Sequence, residues 1–277
     1  MNMPANLWLD FSLDDGGDTR LRVARQEIPW RVVRGFPNAG GETLAHLNNI
    51  SGGILDTDDL ELRIAVQASA RAQITCTGAT RIYRSRSPER QARSHVEVDV
   101  AAGGFLEYLP DALIPYGGSR YRQTTRIRLD RAASLIWWEI VSPGREASGE
   151  VFRYQRLQSH LEILRDGQPL CEEMWDLAPA LRPLDSAVRL GPFRHFASLY
   201  LCQSGAARLE PEMAYLAAKH SMPNELLWGA GSLRADGLVL RGVAKNGRHL
   251  ARSLIAIWEV AKVSLCGRVA TPPRKIY

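Results

Sequence analysis

The stretch Ile127–Ile140 reads IRLDRAASLIWWEI. Ile127 and Leu129 alternate with charged residues, the pattern breaks at the small-residue link DRAAS, and it resumes as a run that is apolar on both faces. Alternation with period two is the mark of a half-buried β-strand, and a run apolar on both faces is a strand covered on both sides. The same strand, link, strand order occurs twice upstream, in LELRIAVQASARAQITC from Leu60 and in HVEVDVAAGGFLEYL from His95. Placed one under another, Ile64, Val98 and Ile127 share a column, and the links QASA, AAGG and DRAAS follow at nearly the same offset. Spacings of 34 and 29 residues are too irregular for a strict repeat but suit stacked two-strand units with loops of varied length.

Working outward, Pro and Gly punctuate the chain at PNAGGE, SGG, PYGG, SPG and DGQP, which marks turns between short strands. A mainly β, layered body is expected to about residue 205. The remainder, about 206–277, changes character. Leu209–Ser221 has Pro211 near a helix start and Met213, Leu216 and Ala217 on one side. After a turn at Asp236–Gly237, Asn246 is a candidate N-cap, Leu250, Leu254, Ile257, Trp258, Ala261 and Leu265 form an apolar stripe, and Gly267 stops the helix. No flexible linker separates the parts, so one domain spanning 1–277 with about two α-helices is predicted.

Composition narrows the function. Of 35 basic residues 31 are arginine, and they alternate with acids in ELR, SPERQARSHVEVD and RIRLDR. Arginine suits planar, bidentate pairing with carboxylates, so these read as ion-paired faces before they read as a nucleic-acid surface. Cys76, Cys171, Cys202 and Cys266 are widely spaced, without a C-x-x-C pair, and His46, His95, His160, His195, His220 and His249 are isolated. Neither set has metal-ligand spacing; the cysteines are expected to be small buried residues in a reducing compartment. The N-terminus carries acids where a signal peptide needs a basic flank, and no apolar run approaches the ~18 residues of a membrane span. A cytoplasmic protein is expected. Phosphate-loop, dinucleotide and nucleophile-elbow motifs are absent from the sequence.

Trp137–Phe152, WWEIVSPGREASGEVF, places Glu139 inside the strand that is apolar on both faces. A carboxylate there loses several kcal/mol of hydration unless it is paired, hydrogen-bonded or protonated. Three arrangements satisfy it. Glu139 pairs with Arg145 across the turn; or Glu139 and Glu150 act as general acid and base on a carbohydrate; or Glu139 lines a passage holding a cation weakly through oxygen ligands. The acidic run Asp56, Asp58, Asp59 and Glu61 lacks calcium-loop spacing and reads as a solvated turn.

Taken in order, SGGILDTDDLEL, TGATRIYRS, LEYLPDALIPY, WEIVSPGREASGEVF, LWGAGSLRADGLVLRGVA and CGRVATPPRKIY resemble the motifs of the urease accessory protein family UreD, also called UreH. The resemblance covers about Leu21 to the C-terminus. It implies a β-rich, helix-like stack with a pair of α-helices, and a nonenzymatic function. Members of that family bind the urease apoprotein, recruit UreF and the nickel-carrying GTPase UreG, and pass nickel to the urease site. It therefore implies UreF-like and UreG-like partners, a 2:2 complex with UreF, no nucleic acid, no membrane, and no tightly bound cofactor beyond transient nickel(II). Gly52, Gly53 and Asp58 match the first motif, Tyr83, Arg84 and Ser85 the second, and Glu139, Gly144, Arg145, Ser148, Gly149 and Glu150 the fourth. Asp58, Ser85, Glu139, Arg145 and Glu150 are the passage candidates that the resemblance supplies; the others shape turns. At Asp56-Thr57 the family has Gly-Gly, which predicts a less secure left-handed turn here.

Overall fold

A computed structural model describes residues 5–234 and 236–273. In chain order the strands are β1 (Ala5–Leu13), β2 (Thr19–Gln26), β3 (Trp30–Arg31), β4 (Phe36–Pro37), β5 (Thr43–Asn49), β6 (Asp59–Val66), β7 (Arg71–Cys76), β8 (Thr80–Ile82) and β9 (Ala92–Val100). Next come β10 (Phe105–Leu109), β11 (Leu113–Pro115), β12 (Arg120–Leu129), β13 (Ser134–Val141), β14 (Arg156–Arg165), β15 (Gln168–Leu177) and β16 (His195–Cys202). Helix α1 (Glu210–Lys219), the hairpin β17 (Leu226–Leu233) and β18 (Gly237–Ala244), and helix α2 (Gly247–Cys266) complete the order.

The chain climbs as a two-faced coil. Strands β6, β9, β12 and β14 pair in parallel in a seven-stranded outer sheet, and β5, β7, β10 and β13 pair in parallel in an eleven-stranded central sheet. Each link carries the chain from outer to central sheet, so β6 passes to β7, β9 to β10 and β12 to β13. Ile64 pairs with Val98 and Val98 with Ile127, the column read from the sequence. The mainly β fold with two helices is therefore as expected.

At each end the parallel stack is finished by strands running the other way. Outside β1, which joins β6 in parallel, lies antiparallel β2, and outside β14 lies antiparallel β15. In the central sheet β16, β18 and β17 follow β13 antiparallel, while β3 and β4 pair antiparallel with β5.

Period two sorts the side chains. Inward residues of the outer sheet, among them Leu62, Ile64, Val98, Ile127 and Ile163, meet Leu135 and Trp137 of the central sheet in one core. The opposite face of the central sheet, with Ile136 and Trp138, packs against α1 and α2 in a second core. Outward residues of the outer sheet form rows of charge across the parallel strands, such as Arg63, Glu97, Arg126 and Glu162. There Arg126 Nε donates to Glu162 at 2.6 Å, and Arg128 bridges Glu97 and Asp99 at 2.7 and 2.6 Å. This ladder uses several of the chain's arginines as carboxylate partners.

The helices start and stop where side-chain chemistry directs. The Asn246 side chain accepts from the Arg248 N–H, and Gly267 ends α2 in the left-handed region. Lys262, which the apolar stripe did not include, is fully buried. Of the four cysteines, all free, only Cys202 is fully buried; the other three are half-buried, which corrects the expectation.

Candidate functional site

Between the two sheets, towards the end marked by Gly52 and Gly53, lies a cavity of about 300 Å³. Trp30, Tyr108, Tyr121 and Trp175 supply much of its wall, and Asn49, Ser94, Gln123 and Glu139 supply polar groups. Glu139 reaches it because β13 lies between β10 and β16, with Leu135, Trp137, Glu139 and Val141 on the face towards the outer sheet. Tyr108 stacks on Trp137 beside it, ring centroids 4.0 Å apart.

Glu139 makes no ion pair among the described residues. Its Oε1 accepts from Gln123 Nε2 at 3.3 Å, and the same amide reaches Thr125 Oγ1 at 3.3 Å. The Trp137 indole N–H lies near enough to favour the carboxylate but forms no hydrogen bond of ordinary geometry. Burial first, and the charge of Glu173 second, push the Glu139 carboxyl up to about 7. At neutral pH it is therefore poised between acid and carboxylate.

Glu173, on β15, is the second carboxylate of this interior. Its Oε2 accepts from Tyr200 Oη at 2.6 Å and from Arg241 Nη2 at 2.5 Å. Tyr200 pairs with Trp137 across β13 and β16, so Glu139 and Tyr200 share the inward face of the central sheet, and Glu173 meets Tyr200 from the outer sheet, outside the cavity lining. Sequence reasoning missed Glu173 because QPLCEEMWDL is an edge strand with mixed faces.

The other motif residues gather at one corner. Arg145 pairs with Glu150 and not with Glu139: Arg145 Nε donates to Glu150 Oε2 at 2.8 Å, and its guanidinium lies 4.3 Å from the Tyr116 ring centre. The Gly117 N–H also donates to Glu150, at 2.9 Å. The Arg145 hydrogen bonds, with Gly117 next, hold Glu150 down to about 2. A carboxylate so held is a poor proton donor or acceptor at neutral pH, which removes half of the acid and base pair weighed from the sequence.

Ser148 lies in a 3-10 turn, Glu146–Ser148, that Gly149 closes. Gly144, at φ 136°, lets the Glu150 carbonyl approach so closely that a Cβ would sit 2.3 Å from it. Tyr83 packs over Gly53, where a Cβ would lie 2.7 Å from the ring, and meets Tyr116 edge-on at 5.3 Å. Arg84 Nε donates to the Gly117 carbonyl at 3.3 Å, and the Ser85 N–H to the Gly118 carbonyl at 3.1 Å. Asp58 accepts from the Leu55 N–H at 2.9 Å, and burial raises its carboxyl. Asp56 is not left-handed; it is buried and accepts from the Arg86 N–H at 2.7 Å, so the departure from Gly-Gly forms an anchored turn. Of the five passage candidates only Glu139 lines the cavity, with Gly52 and Gly53 at the cavity end.

These glycine approaches, the Tyr83 and Tyr116 contact and the Arg145–Glu150 turn bring residues of the first four motifs to one corner, and the family pattern runs the length of the chain. The model of the family described as UreD urease accessory protein matches residues 3–276. The chain belongs to this family. Curated relatives in the family include the urease accessory protein UreD of Herpetosiphon aurantiacus, 40% identical over 99% of this chain and 97% of that protein. Urease accessory protein UreD 2 of Pseudomonas syringae pv. syringae is 34% identical over 99% of each chain. Within the family fold, no group of three or more His, Cys, Asp or Glu side chains among the described residues could hold a metal ion. No helix among them is long and apolar enough to cross a membrane.

Proposed function

We propose that this chain is a non-catalytic urease maturation factor of the cytoplasm. It binds the urease apoprotein, recruits UreF-like and UreG-like partners, two copies pairing with two UreF-like chains, and lets nickel(II) move through its interior to the urease site. The observation that carries this reading is Glu139, a carboxylate without an ion-pair partner among the described residues that faces the space between two packed sheets. Nickel is the cargo. Glu139 and, beyond it, Glu173 offer oxygen ligands one at a time, which bind a divalent ion more weakly than a cage of Cys or His and so permit release. Gln123 orients Glu139, while Tyr200 and Arg241 hold Glu173. Asp58 and Ser85 lie near the Gly52–Gly53 end and serve as its rim; Arg145 and Glu150 keep the adjoining turn in shape.

The reading is tested by co-expressing the urease structural subunits and the other accessory proteins with and without this chain. Omission is expected to leave urease inactive and nickel-poor. Glu139→Gln is expected to keep the complex intact and lower nickel loading. Full maturation in the absence of the chain would overturn the proposal.

A further inference from the structure

The cavity between the sheets has walls that a bare metal ion does not use. Trp30, Tyr108, Tyr121 and Trp175 line it, together with Leu62 and Val96 of the outer sheet. Among the described lining residues Glu139 and Asp111 carry carboxyl groups and Arg81 is the one cation. Arg81 is exposed, and its Nη1 donates to the Gly52 carbonyl at 3.2 Å, at the Gly52–Gly53 end. The lining therefore carries more negative than positive charge, which disfavours an anion in the interior.

The hydrogen-bond chain at the polar side has a direction. Tyr121 Oη donates to Gln123 Oε1 at 3.2 Å, and Gln123 Nε2 donates to Glu139 Oε1 and to Thr125 Oγ1, each at 3.3 Å. Both N–H groups of the amide and the phenol proton are thereby spent. Glu139 Oε2 accepts no hydrogen bond of ordinary geometry among the described residues, so the chain ends on an open acceptor that carries charge.

These features select a class of ligand. To rest in place, a divalent ion needs several donors at once, and no group of three or more His, Cys, Asp or Glu side chains among the described residues supplies them. An ammonium group needs a single carboxylate. Its hydrocarbon part gains from apolar walls, and an aromatic ring face attracts its charge. A volume of about 300 Å³ lies at the small end of the range for ligand cavities.

We propose that the cavity is a binding site for a small primary alkylammonium ion, with an N–H group on Glu139 Oε2 and the carbon chain against the aromatic wall. Water in the remaining space takes the other N–H groups. This site goes beyond nickel transit and does not rest on it. Nickel uses Glu139 as a passing oxygen ligand, whereas the amine uses the walls as well, so amine binding and nickel loading of urease can fail separately.

The test is a ligand-observed NMR titration of the full chain with n-butylammonium chloride at about pH 8, where the Glu139 carboxyl is mostly ionised and an alkylamine keeps its proton. Saturable binding with a dissociation constant of about 1 mM is expected for a ligand of so few atoms. n-Butanol keeps the chain and loses the charge, and tetramethylammonium keeps the charge and loses the N–H. Each is expected to bind about tenfold more weakly, and butyrate not to bind. Glu139→Gln is expected to weaken n-butylammonium about tenfold and to leave n-butanol unchanged, a split that a disturbed fold does not give. Trp175→Ala removes part of the wall and is expected to weaken both. Absence of saturable n-butylammonium binding, equal affinity for n-butylammonium and butyrate, or wild-type affinity for n-butylammonium in Glu139→Gln would overturn the site.

Discussion

At the scale of single residues, Glu139 stands apart from the other acids because its environment, rather than a partner, sets its charge. Its carboxyl is raised from 4.5 to about 7, so the folded chain binds a proton that the unfolded chain has lost, and stability falls as pH rises across that interval. Glu139→Gln is expected to match wild type below the interval and to exceed it at about pH 8 by on the order of 2 kcal/mol, checked by urea unfolding at each pH. The same titration predicts that nickel(II) binding to the purified chain strengthens between about pH 6 and pH 8 and releases protons near neutrality. Isothermal titration in buffers of different ionisation enthalpy reads that release, which Glu139→Gln should abolish. The half-buried place of Glu139 was legible because a strand apolar on both faces leaves a carboxylate little access to water. Lys262 was not legible: it sits four residues after Trp258 on the apolar stripe, yet a lysine in that place reads as an outward residue until Glu42 and Glu107 are seen behind it.

Elements carry the next scale. The column of Ile64, Val98 and Ile127 was readable because small-residue links of similar length return each strand to the same height; that its strands pair in parallel is seen only in the structure. The β1–β2 hairpin and β15 were not, since their pairing is decided by what lies beside them at the ends of the stack. The motif turn was legible as a turn, but the choice of partner was not: Arg145 is almost as near Glu139 as Glu150 in sequence, and the left-handed backbone at Gly144 and Gly149 directs it to Glu150. Two substitutions separate backbone from charge at this corner. Gly144→Ala brings a Cβ against the Glu150 carbonyl and is expected to destabilise by about 3 kcal/mol, read by denaturant unfolding. Arg145→Ala removes a half-exposed ion pair and is expected to change stability by no more than about 1 kcal/mol.

For the whole molecule, the outer sheet presents arginines that are already paired along rows with Asp and Glu. A duplex nucleic acid would have to break those pairs to gain its own, so binding near physiological salt is expected to be weak and non-specific, with a shallow salt slope in a filter or anisotropy titration. The reversed strands at both ends also matter beyond the single chain. A parallel coil has no inherent length: its last rung displays the same unpaired backbone as its first, and a second molecule could continue it as cross-β growth does. β2 and β15, laid antiparallel over the outer sheet's two end strands, break the parallel repeat there, so a second chain would meet a reversed strand instead of another rung.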